Sequence, residues 1–165
     1  MKTEPHSLPR HAPLWTERHD APTFAAISRR PRVLVVEDDP VQALLLTLML
    51  DHHGVDTTLV TDGAQALEAV KAGGYTLVLM DYLMPVFNGI EATRAIRRWE
   101  REHGLAATPI IAVTASAMAC QCEAYRAAGM DDVVLKPFSA RDLADVLARH
   151  GAGRQQVAFV HGAVS

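Results

Sequence analysis

The chain has 165 residues, 49% hydrophobic and 21% charged, a globular composition that excludes a disordered chain and allows a core without disulfides or a structural metal. Its formal net charge of −3 argues against a generally basic nucleic-acid binder. That figure conceals a split: residues 1–32 carry six Lys/Arg against three Asp/Glu, and the remainder carry ten against sixteen.

Five of the nine prolines fall in the same first 32 residues, so a basic, Pro-rich leader precedes an acidic body. Residues 1–31 show neither helical nor strand periodicity and are expected to form a flexible extension. Pro5, Pro9, Pro13, Glu17 and Asp20 interrupt any secretory h-region, and no apolar run approaches the roughly 18 residues of a membrane span. The two cysteines, Cys120 and Cys122, are too few and too close for a disulfide framework, so a soluble cytoplasmic protein is expected.

From Arg32 onward the pattern changes. Val33-Leu34-Val35-Val36 is a continuous apolar run, as expected of a strand covered on both faces, and it ends in Glu37-Asp38-Asp39-Pro40. Asp39 and Pro40 suit the N-cap and first turn of a helix, on which Val41, Leu44, Leu45, Leu48 and Met49 recur at helical spacing and predict the buried face. Gly54 ends that helix. Val55–Val60 reads as a less apolar strand, placed at an edge, followed by a helix with Ala66, Leu67 and Val70, stopped by Gly73-Gly74. Thr76–Met80 is a third strand ending at Asp81, and a turn through Pro85, Asn88 and Gly89 leads to a helix from about Ile90 to Glu102. Pro109–Val113 is a fourth strand ending at Thr114, and residues 117–128 form a helix closed by Gly129. Val133–Leu135 is a fifth strand ending at Lys136-Pro137, before a helix capped by Ser139 that carries Leu143, Val146 and Leu147 and finishes at Gly151. Residues 151–165 read as a tail.

The series is (βα)5. Alternating strands and helices with right-handed crossovers predict a flavodoxin-like, doubly wound α/β fold with a five-stranded parallel sheet in the order 2-1-3-4-5. Ligands of such sheets bind outside the carboxyl ends of the strands at the switch point, here between strands 1 and 3. Those strands end in Glu37-Asp38 and Asp81, while strands 4 and 5 deliver Thr114 and Lys136 to the same rim. Carboxylates so close repel one another unless a cation compensates, and oxygen-only ligands suit Mg²⁺. A lysine and a threonine hydroxyl beside them can hold phosphoryl oxygens, and an aspartate in that setting can act as a nucleophile. Taken singly, each feature has a plainer reading as a helix cap or a turn; four strand ends supplying acid, acid, hydroxyl and base on one edge is the specific signal.

Val33–Asp39 (VLVVEDD), Val78–Pro85 (VLMDYLMP) with Asn88-Gly89, Pro109–Ala115 (PIIAVTA), Ala128–Asp132 (AGMDD) and Lys136-Pro137-Phe138, in this order over roughly residues 32–150, resemble the receiver domain of two-component response regulators. The resemblance implies that Asp81 accepts a phosphoryl group from a phosphohistidine on a histidine kinase or histidine phosphotransfer protein. It implies that Glu37, Asp38, Asp81 and the backbone carbonyl of Leu83 hold Mg²⁺, that Thr114 and Lys136 engage the phosphoryl group, and that the Lys136–Pro137 peptide is cis. Val133 stands where the family commonly places an aromatic switch residue, so coupling of Thr114 to the output face is expected to be atypical.

Several residues invite no functional reading. Cys120 and Cys122, two apart on a helix, point to different sides and do not make a metal pair; His52 and His53 suit a helix C-terminus; Arg94, Arg97, Arg98 and Arg101 are expected to form a solvated basic face. The expected protein is a phosphoacceptor, not an enzyme, which signals to a downstream protein target by phosphorylation-dependent contact. With only about fifteen residues after the last helix, no DNA-binding output domain is expected, and a single-domain regulator is favoured over the receiver portion of a hybrid histidine kinase. A receiver that binds partners constitutively is disfavoured by the complete set of Glu37, Asp38, Asp81, Thr114 and Lys136. A rival of another class, a Mg²⁺-dependent aspartyl-phosphate phosphatase, would want a second aspartate two residues after the nucleophile, where Leu83 stands.

Overall fold

Strand burial sets the architecture of this computed structural model, which describes residues 30–84, 87–116 and 118–151. The leader and tail expectations, the turn at Pro85 and the side chain of Cys120 lie outside the described residues. Five parallel strands, β1 (Arg32–Val36), β2 (Asp56–Val60), β3 (Leu77–Asp81), β4 (Ile110–Thr114) and β5 (Asp132–Leu135), form one sheet in the order β2-β1-β3-β4-β5. The polar β2 lies at the edge, as its composition predicts.

Successive side chains of the three central strands alternate between two apolar clusters, one on each face of the sheet. Leu34, Val36, Val78, Met80, Ile110 and Ala112 face α2 (Gly63–Ala72), α3 (Gly89–Glu102) and α4 (Ala119–Ala128), meeting Ala66, Val70, Ala92, Ile96 and Tyr125. Val33, Val35, Leu77, Leu79, Ile111 and Val113 face α1 (Pro40–His52) and α5 (Ala140–His150), meeting Leu46, Leu50, Leu143 and Val146. Each such valine, leucine, isoleucine or methionine, fully buried, contributes about 1.5–3 kcal/mol, and polar residues enter β3 and β4 only at their last positions, Asp81 and Thr114.

Four helices start on a side-chain cap. Asp39 accepts from the amides of Val41 and Gln42, Asp62 accepts from that of Gln65, and Asn88 and Ser139 each form a capping box, with Glu91 and Asp142 respectively. The helix α4 begins at Ala119 after Met118, which supplies no side-chain cap; of the expected start at 117, Ala117 is outside the described residues.

Two surface expectations are overturned. Four of the five α1 residues expected on the buried face are exposed: Val41 is 73% and Leu44 60% exposed, with Leu45 and Leu48 also outward, while Met49 packs against the core as expected and Ala43, Leu46 and Leu50 are the fully inward residues. The helix is apolar almost all round, so its periodicity selects no face, and the connection from β1 through the Asp39 cap decides its rotation. Arg97 is also not solvated. It is buried, its Nη1 on Glu100 at 2.7 Å and on the Thr108 carbonyl at 2.8 Å, its Nη2 on Asp131 at 2.8 Å and its Nε on the Gly129 carbonyl at 2.9 Å. Arg94, Arg98 and Arg101 are exposed as expected. His53 does more than favour a helix terminus: its Nε2 lies 3.0 Å from the Ala140 carbonyl and ties α1 to α5.

Candidate functional site

Parallel register brings the strand ends to one edge. Val36 pairs with Met80, so Glu37 leaves β1 beside Asp81 at the end of β3. Thr114 pairs with Leu135, and the next amide, Lys136, donates to the Thr114 carbonyl at 2.7 Å. The Lys136–Pro137 peptide is cis, as the resemblance implies. The strand ends surround a crevice of about 320 Å³ whose walls include Glu37, Asp38, Asp81, Leu83, Thr114 and Lys136, so all six residues singled out in the sequence meet in one place.

Within the crevice, Lys136 Nζ donates to Glu37 Oε2 and to Asp81 Oδ1, both at 3.0 Å. The second oxygen of Glu37 accepts from the Asp39 amide at 3.1 Å. Glu37 and Asp81 are buried and Asp38 is exposed, and one carboxylate oxygen from each of the three lies within 4.8 Å of the others. Burial pushes both buried carboxyls above the usual carboxylate range even though Lys136 draws them down; the adjacent carboxylates add to the upward push. Burial alone would lower the Lys136 ammonium, but its hydrogen bonds to Asp81 and Glu37 outweigh that and hold it above its ordinary value. One ammonium against three carboxylates leaves the crevice short of positive charge, and hard oxygen donors of this kind could hold a divalent cation.

Backbone packing fixes Asp81. A side chain on Gly89 would place its Cβ 2.5 Å from the Asp81 carbonyl oxygen, so only glycine lets α3 start this close to the end of β3. The N-terminal turn of α1 adjoins the crevice through Asp39 and Gln42, and the outward Val41, Leu44, Leu45 and Leu48 run along α1 away from that turn.

The sequence reading missed two contributors. Asp39, read as a cap, also orients Glu37 through its amide. Tyr125, eleven residues beyond Thr114 on α4, reaches the Thr114 hydroxyl at 3.2 Å. No linear spacing announces such a contact; the small Val133 beside it was the available hint.

The response regulator receiver domain family matches residues 33–148. The chain belongs to that family. As a receiver it is similar to the Sensor protein GacS of Pseudomonas syringae pv. syringae, at 43% identity over 122 residues, covering 74% of this chain and 14% of that protein. It is also similar to the transcription factor SKN7 of Candida albicans, at 40% identity over 118 residues, covering 72% of this chain and 20% of the relative. The receiver thus spans a small part of the length of the curated relatives it matches. Among solved structures it resembles the receiver domain of the sensor histidine kinase PA1611 from Pseudomonas aeruginosa PAO1, with a magnesium ion coordinated in the active-site cleft (39% identity, TM-score 0.67, covering 73% of this chain and 97% of that one). It resembles equally the receiver domain of Saccharomyces cerevisiae Ssk1 in its co-crystal with the histidine phosphotransfer protein Ypd1 (29% identity, TM-score 0.73, covering 79% and 94%). Among the described residues, no helix is long and apolar enough to cross a membrane.

Proposed function

We propose that this receiver accepts a phosphoryl group on Asp81 from a phosphohistidine of a histidine kinase or histidine phosphotransfer protein. The observation that carries the reading is the crevice itself, where the buried Asp81 at the end of β3 touches Lys136, opposite the buried Thr114 and beside the carboxylates of Glu37 and Asp38. In the transfer, a carboxylate oxygen of Asp81 forms the new O–P bond as the P–N bond breaks, and the bonding electron pair returns to the imidazole of the donor. Lys136 Nζ stays within reach of the acyl phosphate oxygens, and the Thr114 hydroxyl can donate to another.

The three carboxylates fit Mg²⁺. Glu37, Asp38, Asp81 and the backbone carbonyl of Leu83 would hold it, and the ion would neutralise charge on the transferring group. Leu83 offers no acid–base group two residues after the acceptor, which supports slow turnover of the acyl phosphate, the behaviour of a signal and not of a phosphatase. On this reading the protein is not an enzyme. The outward Val41, Leu44, Leu45 and Leu48 form an apolar stripe on α1, the helix whose first turn adjoins the crevice, and the phosphohistidine donor can seat on it, consistent with a partner that must bring its imidazole to Asp81.

The test is incubation with acetyl phosphate and Mg²⁺, read by intact-mass spectrometry. One added phosphoryl group is expected in the wild-type chain and none in Asp81→Asn. No adduct, or an adduct that survives that substitution, would overturn the assignment.

A further inference from the structure

Tyr125 belongs to no strand end, yet it touches Thr114 in the wall of the crevice and Tyr82 next to Asp81. It projects from α4 into the core and is 1% exposed. Its hydroxyl donates to Thr114 Oγ1 at 3.2 Å, and its ring meets Tyr82, the residue after Asp81, edge-on with centroids 5.1 Å apart. Burial holds the Tyr125 phenol above its ordinary pKa, so the hydroxyl keeps its proton and can donate.

The bonding of Thr114 gives this contact chemical consequence. Its oxygen also accepts from the Ser116 amide at 3.2 Å. A hydroxyl has two acceptor lone pairs and one proton, so with both lone pairs taken the remaining capacity is donation, which a phosphoryl oxygen on Asp81 would accept. The 3.2 Å oxygen–oxygen distance from Tyr125 is long beside the 2.7–2.8 Å common for hydroxyl pairs, so a charged phosphoryl group that draws the Thr114 hydroxyl toward Asp81 can stretch this contact.

Two further observations concern where the disturbance goes. Among the described helices α4 alone starts without a side-chain cap, so its first turn lacks about 1 kcal/mol of anchoring that each of the others has. A cleft of about 200 Å³ lies between α4 and β5, lined by Tyr125, Cys122, Arg126, Met130 and Val133 among others. Valine at 133 leaves this space, and the Tyr125 ring borders it.

We propose that Tyr125 is the positioning residue for Thr114, presetting its hydroxyl as a donor to the group on Asp81 and passing the displacement of that hydroxyl to α4 and the cleft beside Val133. The proposal rests on Asp81 being the phosphoacceptor. It places the aromatic that answers Thr114 on α4, since β5 carries Val133 in its place. A Tyr125 that only fills the core would affect stability and nothing else.

The experiment uses the full chain as wild type, Tyr125→Phe, Thr114→Val and the double variant, with beryllofluoride and Mg²⁺ as the phosphoryl stand-in. Both substitutions keep side-chain volume, and Thr114→Val removes the same contact from the other side should Tyr125→Phe disturb folding. Amide hydrogen exchange over residues 119–128 is followed by mass spectrometry, and acetyl phosphate labelling rates are measured alongside. Loading is expected to change exchange in α4 of the wild type, and to leave it unchanged in all three variants. Tyr125→Phe should slow labelling by about two- to tenfold, the worth of one hydrogen bond, with no further slowing from that change once Thr114 is Val. An α4 response in Tyr125→Phe equal to the wild type, or independent effects of the two substitutions, would overturn the proposal while leaving Asp81 as acceptor. Absence of any adduct in the wild type would overturn the acceptor reading and this one with it.

Discussion

The receiver contains two charged clusters of opposite design, and their difference separates scaffold from site. Around Arg97, each acid is matched by fixed donors: Glu100 takes the guanidinium on one oxygen and the Thr108 amide on the other, and Asp131 takes both the guanidinium and the Ile110 amide. The arginine also spends donors on two backbone carbonyls, and its stem packs over Gly129, where φ is +101° and a Cβ would meet Arg97 Cγ at 2.9 Å. This cluster is closed, and it ties α3 to the start of β4 and the end of α4. Around Lys136, one ammonium serves two of three neighbouring carboxylates beside a crevice of about 320 Å³. That cluster is open and short of positive charge. Breaking a closed ion cluster leaves a buried charge unpaired, whereas an open one has room for a further cation.

Removing the cation from each cluster is the strongest way to break the comparison. Arg97→Leu strands Glu100, which is buried, and should cost about 3–5 kcal/mol in urea unfolding, with Mg²⁺ giving no relief beyond what it gives the wild type. Lys136→Met strands Glu37 and Asp81, but they border the crevice, so the loss should be smaller, about 1–3 kcal/mol, and millimolar Mg²⁺ should recover most of it. Equal rescue of both variants by Mg²⁺ would erase the distinction.

Next in size is the stabilisation of the wild type by Mg²⁺ itself. A cation that binds only the folded chain contributes about 2.7 kcal/mol at a hundred times its dissociation constant. Asp38→Asn should remove most of that gain, while in chelator it should be as stable as the wild type or slightly more so, because one repelling carboxylate has been neutralised. Thermal unfolding with and without the ion checks both halves. A Mg²⁺-induced rise in Tm that is unchanged in Asp38→Asn would remove Asp38 from the site.

The open cluster was legible in the sequence and the closed one was not, for a physical reason. Buried parallel strands are continuous apolar runs, so the first polar residue after each run marks the sheet edge. Glu37, Asp81, Thr114 and Lys136 therefore fall together on one edge from the strand pattern alone. Arg97 meets Asp131 across 34 positions and a backbone carbonyl at Gly129, contacts that only the packing of α3 against α4 creates. From the sequence it was one basic residue among four on a helix. The α1 face failed differently: with apolar residues almost all round, the helical period was satisfied by the wrong set, and Val41, Leu44, Leu45 and Leu48 proved to be surface. Tyr125 resembles Arg97 in this respect, since its partner Thr114 lies on another element.

The smallest expected effect concerns a third ion group, more exposed than either cluster. Asp132 Oδ2 accepts from Arg149 Nη2 at 2.7 Å and Nε at 3.2 Å, and His150 Nε2 lies 3.0 Å away, so β5 is tied to the end of α5. Partial burial pushes the Asp132 carboxyl up, but Arg149 and the Val133 amide more than offset it, leaving the carboxyl below its ordinary value of 3.8. A carboxyl depressed in the folded state binds its proton less readily there than in the unfolded chain. Its stabilisation is therefore complete above the unfolded pKa and is lost as pH falls through the folded one. Asp132→Asn should lower stability at pH 7 by less than about 1 kcal/mol, given how much of the pair faces solvent, and the deficit should shrink toward zero below about pH 4. Urea midpoints between pH 7 and pH 2.5 measure the difference. If the two curves stay parallel through the acid limb, Asp132 contributes no proton-linked stability, and the α5 terminus is held by packing alone.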